Sequence, residues 1–390
     1  MPATISNNIK KVPDFYVLKI DQIANDLLRQ GKDIIKLNLG KSEAEMHETV
    51  INAFKEKISD YKISNIVDSR GLPELRNEIV KYYKKKYNVG LSSDKVFINN
   101  GTSPLFLATF SVLIDAGDAV LLPKPYYPCY SAVADIVRAR KEFYRIRDGK
   151  LDIEDFKNKF NHKKTKLVVI NSPGNPLGNV LNRAELEQIL DIVNGNAFVL
   201  SDEIYDGFVY DDFTSILEVY NQDRDKVIFL NGFSKIHHMY TRRVGYVIVP
   251  EIMEQALLRY HQHTLVCVDP VPQYAAVISL RNMDSIMKKE IEAEVAEYKK
   301  RLQECDNLVS KTKLKLIKPK GSWYFCVNIK EYLKGDVKDS LDLAELLIKK
   351  ANVAVAPGID FGDDNIFRIS LTSSRVVEGV KQICEFLKGM

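Results

Sequence analysis

The stretch FLNGFSKIHHMYTRRVGYVIVP, residues 229–250, decides the fold class and raises a question about one lysine. It begins and ends with apolar runs that have the length and composition of buried β-strands. Between the two runs lie small and polar residues, among them Lys235, which closely follows the end of the first run. A strand end inside a protein is a costly place for a cation, so we look for a function of Lys235 in the surrounding sequence.

Apolar runs of the same kind recur between residues 95 and 250: KVFIN, AVLLP, KLVVI, AFVL, KVIFL and VGYVIVP. They do not alternate with polar residues, which is typical of strands buried on both faces of a parallel or mixed sheet. Amphipathic segments lie between some of them, such as NRAELEQILDIV, where Asn182 is the expected N-cap. The sequence therefore predicts an α/β fold with a mixed, mostly parallel sheet flanked by helices.

The pattern changes after about residue 285. A long charged helix is predicted from SIMKKEIEAEVAEYKKRLQECDNLVSKT, and short strands and two further helices follow it. A chain of 390 residues is also long for one hydrophobic core. We therefore expect a large cofactor-binding domain over residues 46–285 and a smaller α+β domain formed by residues 1–45 and 286–390.

Composition and charge argue against several functional classes. A net charge of +4 is too small to indicate nucleic-acid binding. No apolar run approaches the length of a membrane span, and the N-terminal segment lacks the apolar core of a signal peptide. Five scattered cysteines predict reduced thiols, and the histidines lack the spacing of metal ligands. We expect a cytoplasmic enzyme without a metal site.

Polar residues follow four of the apolar runs, at the strand ends where an open α/β sheet binds its ligands. In chain order they are Gly101, Thr102, Ser103, Asn171, Asn175, Asp202, Tyr205, Ser234 and Lys235, with Arg243 eight residues further on. Each has an ordinary explanation as a helix cap, a turn residue or a solvated cation. Their joint placement, together with the absence of nucleotide-binding motifs, instead indicates pyridoxal phosphate, which needs a phosphate site, a carboxylate, a phenol and an amine.

Several segments resemble the fold-type I pyridoxal-phosphate-dependent aminotransferases of class I/II, the aspartate aminotransferase superfamily. They are NSPGNPLG, SDEIY, GFSK with Arg243, FRIS, RGLPELR, PKPYYPCY, PQYAA, PKGSWYF and VAPGIDFG, and their order and approximate spacing match over nearly the whole chain. The resemblance implies a homodimeric enzyme that moves an amino group between an amino acid and a 2-oxo acid.

The resemblance also implies roles for the residues around the cofactor ring. Lys235 is expected to form the Schiff base and then to move a proton at the substrate, which requires the amine to spend time neutral. Asp202 is expected to face the ring nitrogen, and Asn175 and Tyr205 to bond the ring hydroxyl. Tyr127 is expected to stack on the ring.

Further roles concern the phosphate and the substrate. The phosphate is expected to bind Arg243, Ser234 and the Gly101–Ser103 segment. Arg368 is expected to grip the substrate α-carboxylate through its planar guanidinium, and Gly40 and Asn175 to border the substrate. The resemblance also implies a role for Tyr61, which would reach the cofactor phosphate in the neighbouring subunit.

The sequence departs from the family pattern at three places. Gly232 stands where a serine is common, and Leu177 replaces the threonine of the Asn-Pro-Thr-Gly motif. The segment NLGKSEAEMHET, residues 38–49, replaces the usual substrate-bordering pattern. His261 and His263 precede PQYAA and could contact a substrate side chain, although we favour an ordinary structural role.

Two other functions stay open at this point. The same cofactor and fold also serve β-eliminating C–S lyases and cyclising enzymes, because the route after the first bond cleavage is not fixed by the motifs. A non-catalytic protein that kept the fold would be expected to have lost its lysine or aspartate. Since Lys235, Asp202 and Arg368 are all present, an aminotransferase is the leading prediction.

Overall fold

The computed structural model describes residues 4–60 and 66–390. Helices make up the larger part of the regular structure in these ranges. The α-helices are α1 (Tyr16–Arg29), α2 (Glu48–Ile58), α3 (Pro73–Tyr87), α4 (Thr102–Leu113), α5 (Pro128–Ile136), α6 (Ile153–Lys159), α7 (Arg183–Val193), α8 (Glu251–Thr264), α9 (Pro270–Arg281), α10 (Lys288–Val309), α11 (Ser340–Lys350) and α12 (Val376–Lys388).

The strands form one large sheet and two small ones. They are β1 (Ile35–Lys36), β2 (Val96–Asn99), β3 (Ala119–Lys124), β4 (Arg140–Arg147), β5 (Lys150–Leu151), β6 (Thr165–Asn171), β7 (Phe198–Asp202), β8 (Lys226–Gly232), β9 (Gly245–Ile248), β10 (Lys315–Ile317), β11 (Tyr324–Asn328), β12 (Val353–Ala354), β13 (Ala356–Pro357) and β14 (Ile366–Ser370).

The large sheet has eight strands in the order β2-β9-β8-β7-β6-β3-β4-β5. Strands β8, β7, β6, β3 and β4 run parallel, whereas β9 pairs antiparallel with both β8 and β2. The predicted mixed, mostly parallel sheet and the α/β fold class are therefore confirmed. Its parallel strands bring the ends of β6, β7 and β8 to one edge.

Burial on both faces explains why the predicted strands do not alternate. Along β6, Val168 and Ile170 join the hydrophobic core on one side of the sheet. Leu167 and Val169 join the core on the other side. Successive side chains of a strand point to opposite faces, so helices on both sides require an apolar residue at every position.

All six predicted runs form strands of this sheet, and the predicted helix after Asn182 is α7. The Asn182 side chain accepts from the N–H of Glu185 at 3.0 Å, and the Glu185 carboxylate accepts from the N–H of Asn182 at 2.9 Å. This reciprocal pair is a capping box, which satisfies two otherwise free donors. The long predicted helix is α10, preceded by a π-helical turn at Met283–Met287.

The segments at the two ends of the chain meet in one of the two small sheets. Strand β1 pairs in parallel with β12, with Ile35 opposite Val353. The second small sheet has the order β10-β11-β14-β13 and carries Arg368 on β14. This pairing supports the predicted grouping of residues 1–45 with residues 286–390, which we retain as a proposed domain division.

Candidate active site

A cavity of about 510 Å³ lies at the carboxyl ends of β6, β7 and β8. It brings together most of the residues predicted from the sequence. Those that line it are Gly40, Thr102, Ser103, Tyr127, Asn175, Asp202, Tyr205, Ser234, Lys235, Arg243 and Arg368. Gly101 directly precedes Thr102 in the chain but does not itself line the cavity. Tyr61 lies outside the described residues.

One end of the cavity is built to receive an anion. Helix α4 begins after Gly101, whose φ of +87° is in the left-handed region that glycine tolerates. No side chain caps this helix, so N–H groups of its first turn stay available to a ligand. A Cβ at Gly101 would overlap the guanidinium of Arg243, which donates to Ser234 Oγ at 3.3 Å and to the Tyr240 carbonyl at 3.1 Å. Glycine therefore permits the arginine to lie against the helix N-terminus.

Lys235 lies in this cavity beneath aromatic rings. Its Nζ is 4.4 Å from the ring centre of Trp323, 5.0 Å from that of Tyr240 and 5.2 Å from that of Tyr205. It donates one hydrogen bond, to the Gly40 carbonyl at 3.3 Å. Burial lowers the pKa of Lys235, and the nearby charges of two arginines lower it further. The amine is thereby brought closer to the neutral form that a nucleophile or base requires.

Asp202 is the last residue of β7 and is buried. Its Oδ2 accepts a hydrogen bond from the Tyr130 hydroxyl at 2.6 Å, and its Oδ1 accepts from the N–H of Ile204 at 3.2 Å. Burial raises the pKa of Asp202 to about 6, although both hydrogen bonds and the charge of Lys235 oppose that rise. A partner that carries a proton would stabilise the carboxylate at this position.

Arg368 is a buried cation on β14 rather than a surface ion-pair residue. It donates to Asn175 Oδ1 at 2.9 Å and to the Asn38 carbonyl at 2.7 Å. Within residues 4–60 and 66–390, no carboxylate is in ion-pair contact with it, although Asp360 is close enough to interact with its charge, and its buried Nε has no hydrogen-bond partner. A buried cation with no anion in contact is unfavourable, which indicates that the cavity receives an anion beside Arg368.

Two tyrosine hydroxyls meet between the lysine and this arginine. Tyr205 donates to the Tyr324 hydroxyl at 3.2 Å, and the Arg368 guanidinium lies 4.1 Å from the Tyr324 ring centre. Burial opposes ionisation of Tyr324, but the charges of Lys235 and Arg368 outweigh it and lower the pKa of that phenol. A Cβ at Gly40 would overlap the Tyr324 hydroxyl, so glycine is required at this wall.

Asn171, one of the predicted strand-end residues, holds the backbone of Asn175 by accepting from its N–H at 2.8 Å. Three other contributing residues were not predicted from the sequence. Tyr130 donates a hydrogen bond to Asp202, Trp323 lies against Lys235, and Tyr324 lies against Arg368. Only Tyr130 had a readable signal, since it is one helical turn beyond Tyr127 in PYYPCY.

The two histidines before PQYAA do not line this cavity. His261 is fully buried on α8, with its Nδ1 3.1 Å from the Ser69 carbonyl and its ring edge-on to Phe97. His263 is exposed on the same helix. Both placements are consistent with the structural role favoured above.

Other kinds of site are not found in the part of the chain that the structure describes. No group of three or more His, Cys, Asp or Glu side chains is arranged to hold a metal ion there. No helix in these residues is both long and apolar enough to cross a membrane. All five cysteines are free thiols.

Comparison with known proteins adds family information to this geometry. The family described as Aminotransferase class I and II matches residues 32–387. A (5-formylfuran-3-yl)methyl phosphate transaminase from Methanocaldococcus jannaschii is 31% identical over 389 residues, covering 98% of this chain and 99% of that protein. An aspartate aminotransferase from Thermotoga maritima is 30% identical over 392 residues, with the same coverage.

Solved structures of aminotransferases also superpose on this chain. A crystal structure of an aspartate aminotransferase from Thermotoga maritima superposes with a TM-score of 0.88 at 29% identity. A Methanococcus jannaschii protein, described as similar in its active site to kynurenine aminotransferases, superposes with a TM-score of 0.87 at 31% identity. Each comparison covers 98% of this chain and 100% of the other.

Proposed function

The chain belongs to the class I and II aminotransferases, and from that membership we propose how its cavity transfers an amino group between an amino acid and a 2-oxo acid. The proposal assigns pyridoxal phosphate to the strand ends and the substrate to the side of Arg368. The observation that carries it is the buried, unpaired Arg368 in the same cavity as a lysine of lowered pKa and a buried aspartate.

The residues present fit pyridoxal phosphate. Arg243 and the uncapped first turn of α4 would hold its phosphate, with the Gly101 backbone leaving room for the guanidinium. Asp202 would hold a proton on the ring nitrogen, and Tyr127 lies on the cavity wall where a ring would stack. Lys235 would supply the amine that binds the cofactor covalently.

When bound, the cofactor supplies a ring that accepts the electron pair released at the substrate Cα. Lys235 would remove the proton from Cα and return one during transfer, a task for which its lowered pKa is suited. Tyr205 and Asn175 would donate hydrogen bonds to the ring oxygen. These assignments give Lys235, Tyr205 and Asn175 distinct chemical roles in the cavity.

Arg368 would bind the α-carboxylate of the amino acid or 2-oxo acid. Its guanidinium is oriented by Asn175 and the Asn38 carbonyl, and it is stacked on Tyr324. A guanidinium fixed in this way can form two parallel hydrogen bonds to a carboxylate. That pairing would also neutralise the buried charge.

We also propose a homodimer in the cytoplasm. Exposed apolar side chains support an interface: Ile58 and Ile66 are more than 70% exposed, and Val266 is 55% exposed. A role of Tyr61 in the partner's phosphate site is part of this proposal. Sedimentation of the purified protein would test the oligomeric state.

The test of the function is a product balance. Purified protein with pyridoxal phosphate is given single amino acids and 2-oxoglutarate, and the new amino acid, new oxo acid and ammonia are measured. Equal amounts of new amino acid and new oxo acid are expected. Ammonia without a new amino acid would instead show elimination, and absence of any turnover, with no cofactor trapped on Lys235 by borohydride, would refute the site.

A further inference from the structure

Three aromatic rings surround the amine of Lys235, and the proposed function gives two of them no role. The Nζ atom lies 4.4 Å from the ring centre of Trp323, 5.0 Å from that of Tyr240 and 5.2 Å from that of Tyr205. A cation within about 6 Å of a ring centre is attracted by the negative face of the ring. Tyr205 is assigned to the cofactor ring oxygen, whereas Trp323 and Tyr240 are left without a task.

Tyr240 belongs to the loop that connects β8 with β9, the loop that also carries Lys235. A turn closes directly after the lysine, because the N–H of His238 donates to the Lys235 carbonyl at 3.2 Å. The N–H of Met239 then donates to the Phe233 carbonyl at 3.0 Å. These two bonds fold the chain back on itself, so that the ring of Tyr240 lies beside an amine five residues earlier in the chain.

The main chain of Tyr240 is fixed by Arg243. The Arg243 guanidinium donates to the Tyr240 carbonyl at 3.1 Å and to Ser234 Oγ at 3.3 Å, and Ser234 directly precedes Lys235. Tyr240 is half-buried and lies between the main cavity and a neighbouring cavity of about 230 Å³, both of which it lines. A cation–π contact is stronger where water is partly excluded, as it is at this position.

The groups around Lys235 act in opposite directions on its proton. Burial lowers the pKa of Lys235; Tyr324 on β11 raises it, Arg368 on β14 and Arg243 lower it, and Asp202 on β7 raises it. The three ring faces also favour the protonated amine, since a ring face attracts a cation and not a neutral amine. The balance between these influences sets how readily the amine gives up its proton.

Lys235 has two tasks in the proposed function, and they need different protonation states. The amine must be neutral to attach the cofactor and to remove a proton from the substrate. It must then hold that proton until the proton is returned. Burial and the two arginines favour the neutral amine alone, so a contact that favours the protonated amine serves the second task.

We propose that Tyr240 is a positioning residue that holds the protonated amine of Lys235 by a cation–π contact, so that the amine retains the proton it takes from the substrate. This inference rests on the proposed function and adds a residue to it. The contact uses the face of the ring and not the hydroxyl, so phenylalanine should replace Tyr240 and leucine should not.

The test follows the attachment of pyridoxal phosphate to the full chain after the cofactor has been removed. Only the neutral amine attacks the aldehyde, so the attachment rate should rise with pH up to the pKa of Lys235. Tyr240→Leu removes the ring and should lower that pKa, which moves the midpoint of the rate profile down by about one pH unit. Below the midpoint, this variant should therefore attach the cofactor about tenfold faster than the unchanged protein.

Three further variants sharpen the test. Tyr240→Met also lacks a ring and should give the same shift as Tyr240→Leu. Tyr240→Phe keeps the ring face and should leave the midpoint unchanged. Tyr220→Leu alters a half-buried tyrosine that does not line the cavity of Lys235, and its profile should match that of the unchanged protein. Circular dichroism would establish that the variants fold.

Two results would overturn the inference while leaving the proposed function intact. Slower attachment of the cofactor to the Tyr240→Leu protein at every pH, with an unmoved midpoint, would assign Tyr240 a merely structural role. Equal shifts in the Tyr240→Leu and Tyr240→Phe proteins would assign the effect to the hydroxyl. If borohydride trapped no cofactor on Lys235 of the unchanged protein, the proposed function itself would fail, and the inference with it.

Discussion

The two sides of the cavity are built in different ways. The proposed cofactor side is made of polar residues at the ends of strands of one sheet, such as Asp202 at the end of β7 and Lys235 three residues after β8. The proposed substrate side is made of α1 and β14, which are more than 330 residues apart in the chain and are linked through Asn38. The strand ends are fixed by the sheet, whereas the proposed substrate side is fixed by a few long-range hydrogen bonds.

The largest expected effect comes from removing the amine on the cofactor side. Lys235→Ala should lower kcat about 10⁴-fold or more, since both a covalent attachment and a proton carrier are lost. Lys226→Ala is the matched control, because Lys226 lies at the opposite end of the same strand. Steady-state kinetics of both proteins would measure the difference, and activity retained in Lys235→Ala would place the chemistry elsewhere.

The substrate side should respond more moderately. Arg368→Lys keeps the charge but loses the planar fork and its hydrogen bonds to Asn175 and Asn38, so kcat/KM should fall about 100-fold. Arg375→Lys alters a surface arginine that pairs with Asp33 and Glu378, and it should retain activity. Comparable losses in both variants would show that Arg368 acts through stability rather than through substrate binding.

The smallest expected effect is on the pH dependence of cofactor affinity, which concerns the proposed cofactor side alone. Because burial raises the pKa of Asp202 to about 6, the affinity of the protein for pyridoxal phosphate should fall as pH drops through that value. Tyr130→Phe removes a hydrogen bond that favours the carboxylate, so the pKa should rise further. The midpoint of the affinity loss should then move up by about one pH unit.

Equilibrium titration of the cofactor by fluorescence would measure this shift. Tyr144→Phe is the control, since the Tyr144 hydroxyl donates to the Val169 carbonyl and not to Asp202. An unchanged midpoint in the Tyr130→Phe protein would mean that Asp202 does not govern cofactor affinity.

The sequence predicted the large sheet well because buried parallel strands have a distinctive composition. It missed β4, RKEFYRIR, which lies between β3 and the short edge strand β5 and has Arg140 and Arg147 exposed. A strand with polar residues along much of its length does not give the apolar signal used to find the others. The family assignment is confirmed, whereas the individual residue roles stay predictions.

Residues of the candidate site could be predicted where a reactive side chain closely follows an apolar run in the sequence. Lys235 and Asp202 each follow an apolar run, so their strand-end placement could be inferred. Phe15 and Leu18, which also line the cavity, could not be singled out, because an apolar residue on an amphipathic helix looks the same whether it faces the core or a cavity. Their placement depends on Asp360, which no local pattern connects with α1.

The attachment of α1 has a consequence for how such an enzyme can diverge. Asp360 and Asn38 hold the start of this helix through main-chain N–H and carbonyl groups, not through the side chains of residues 15–18. Mutations at Phe15 or Leu18 can therefore accumulate without loosening the helix or disturbing Lys235 and Asp202. An enzyme with this arrangement can therefore change which amino acids it accepts while Lys235 and Asp202 keep their positions.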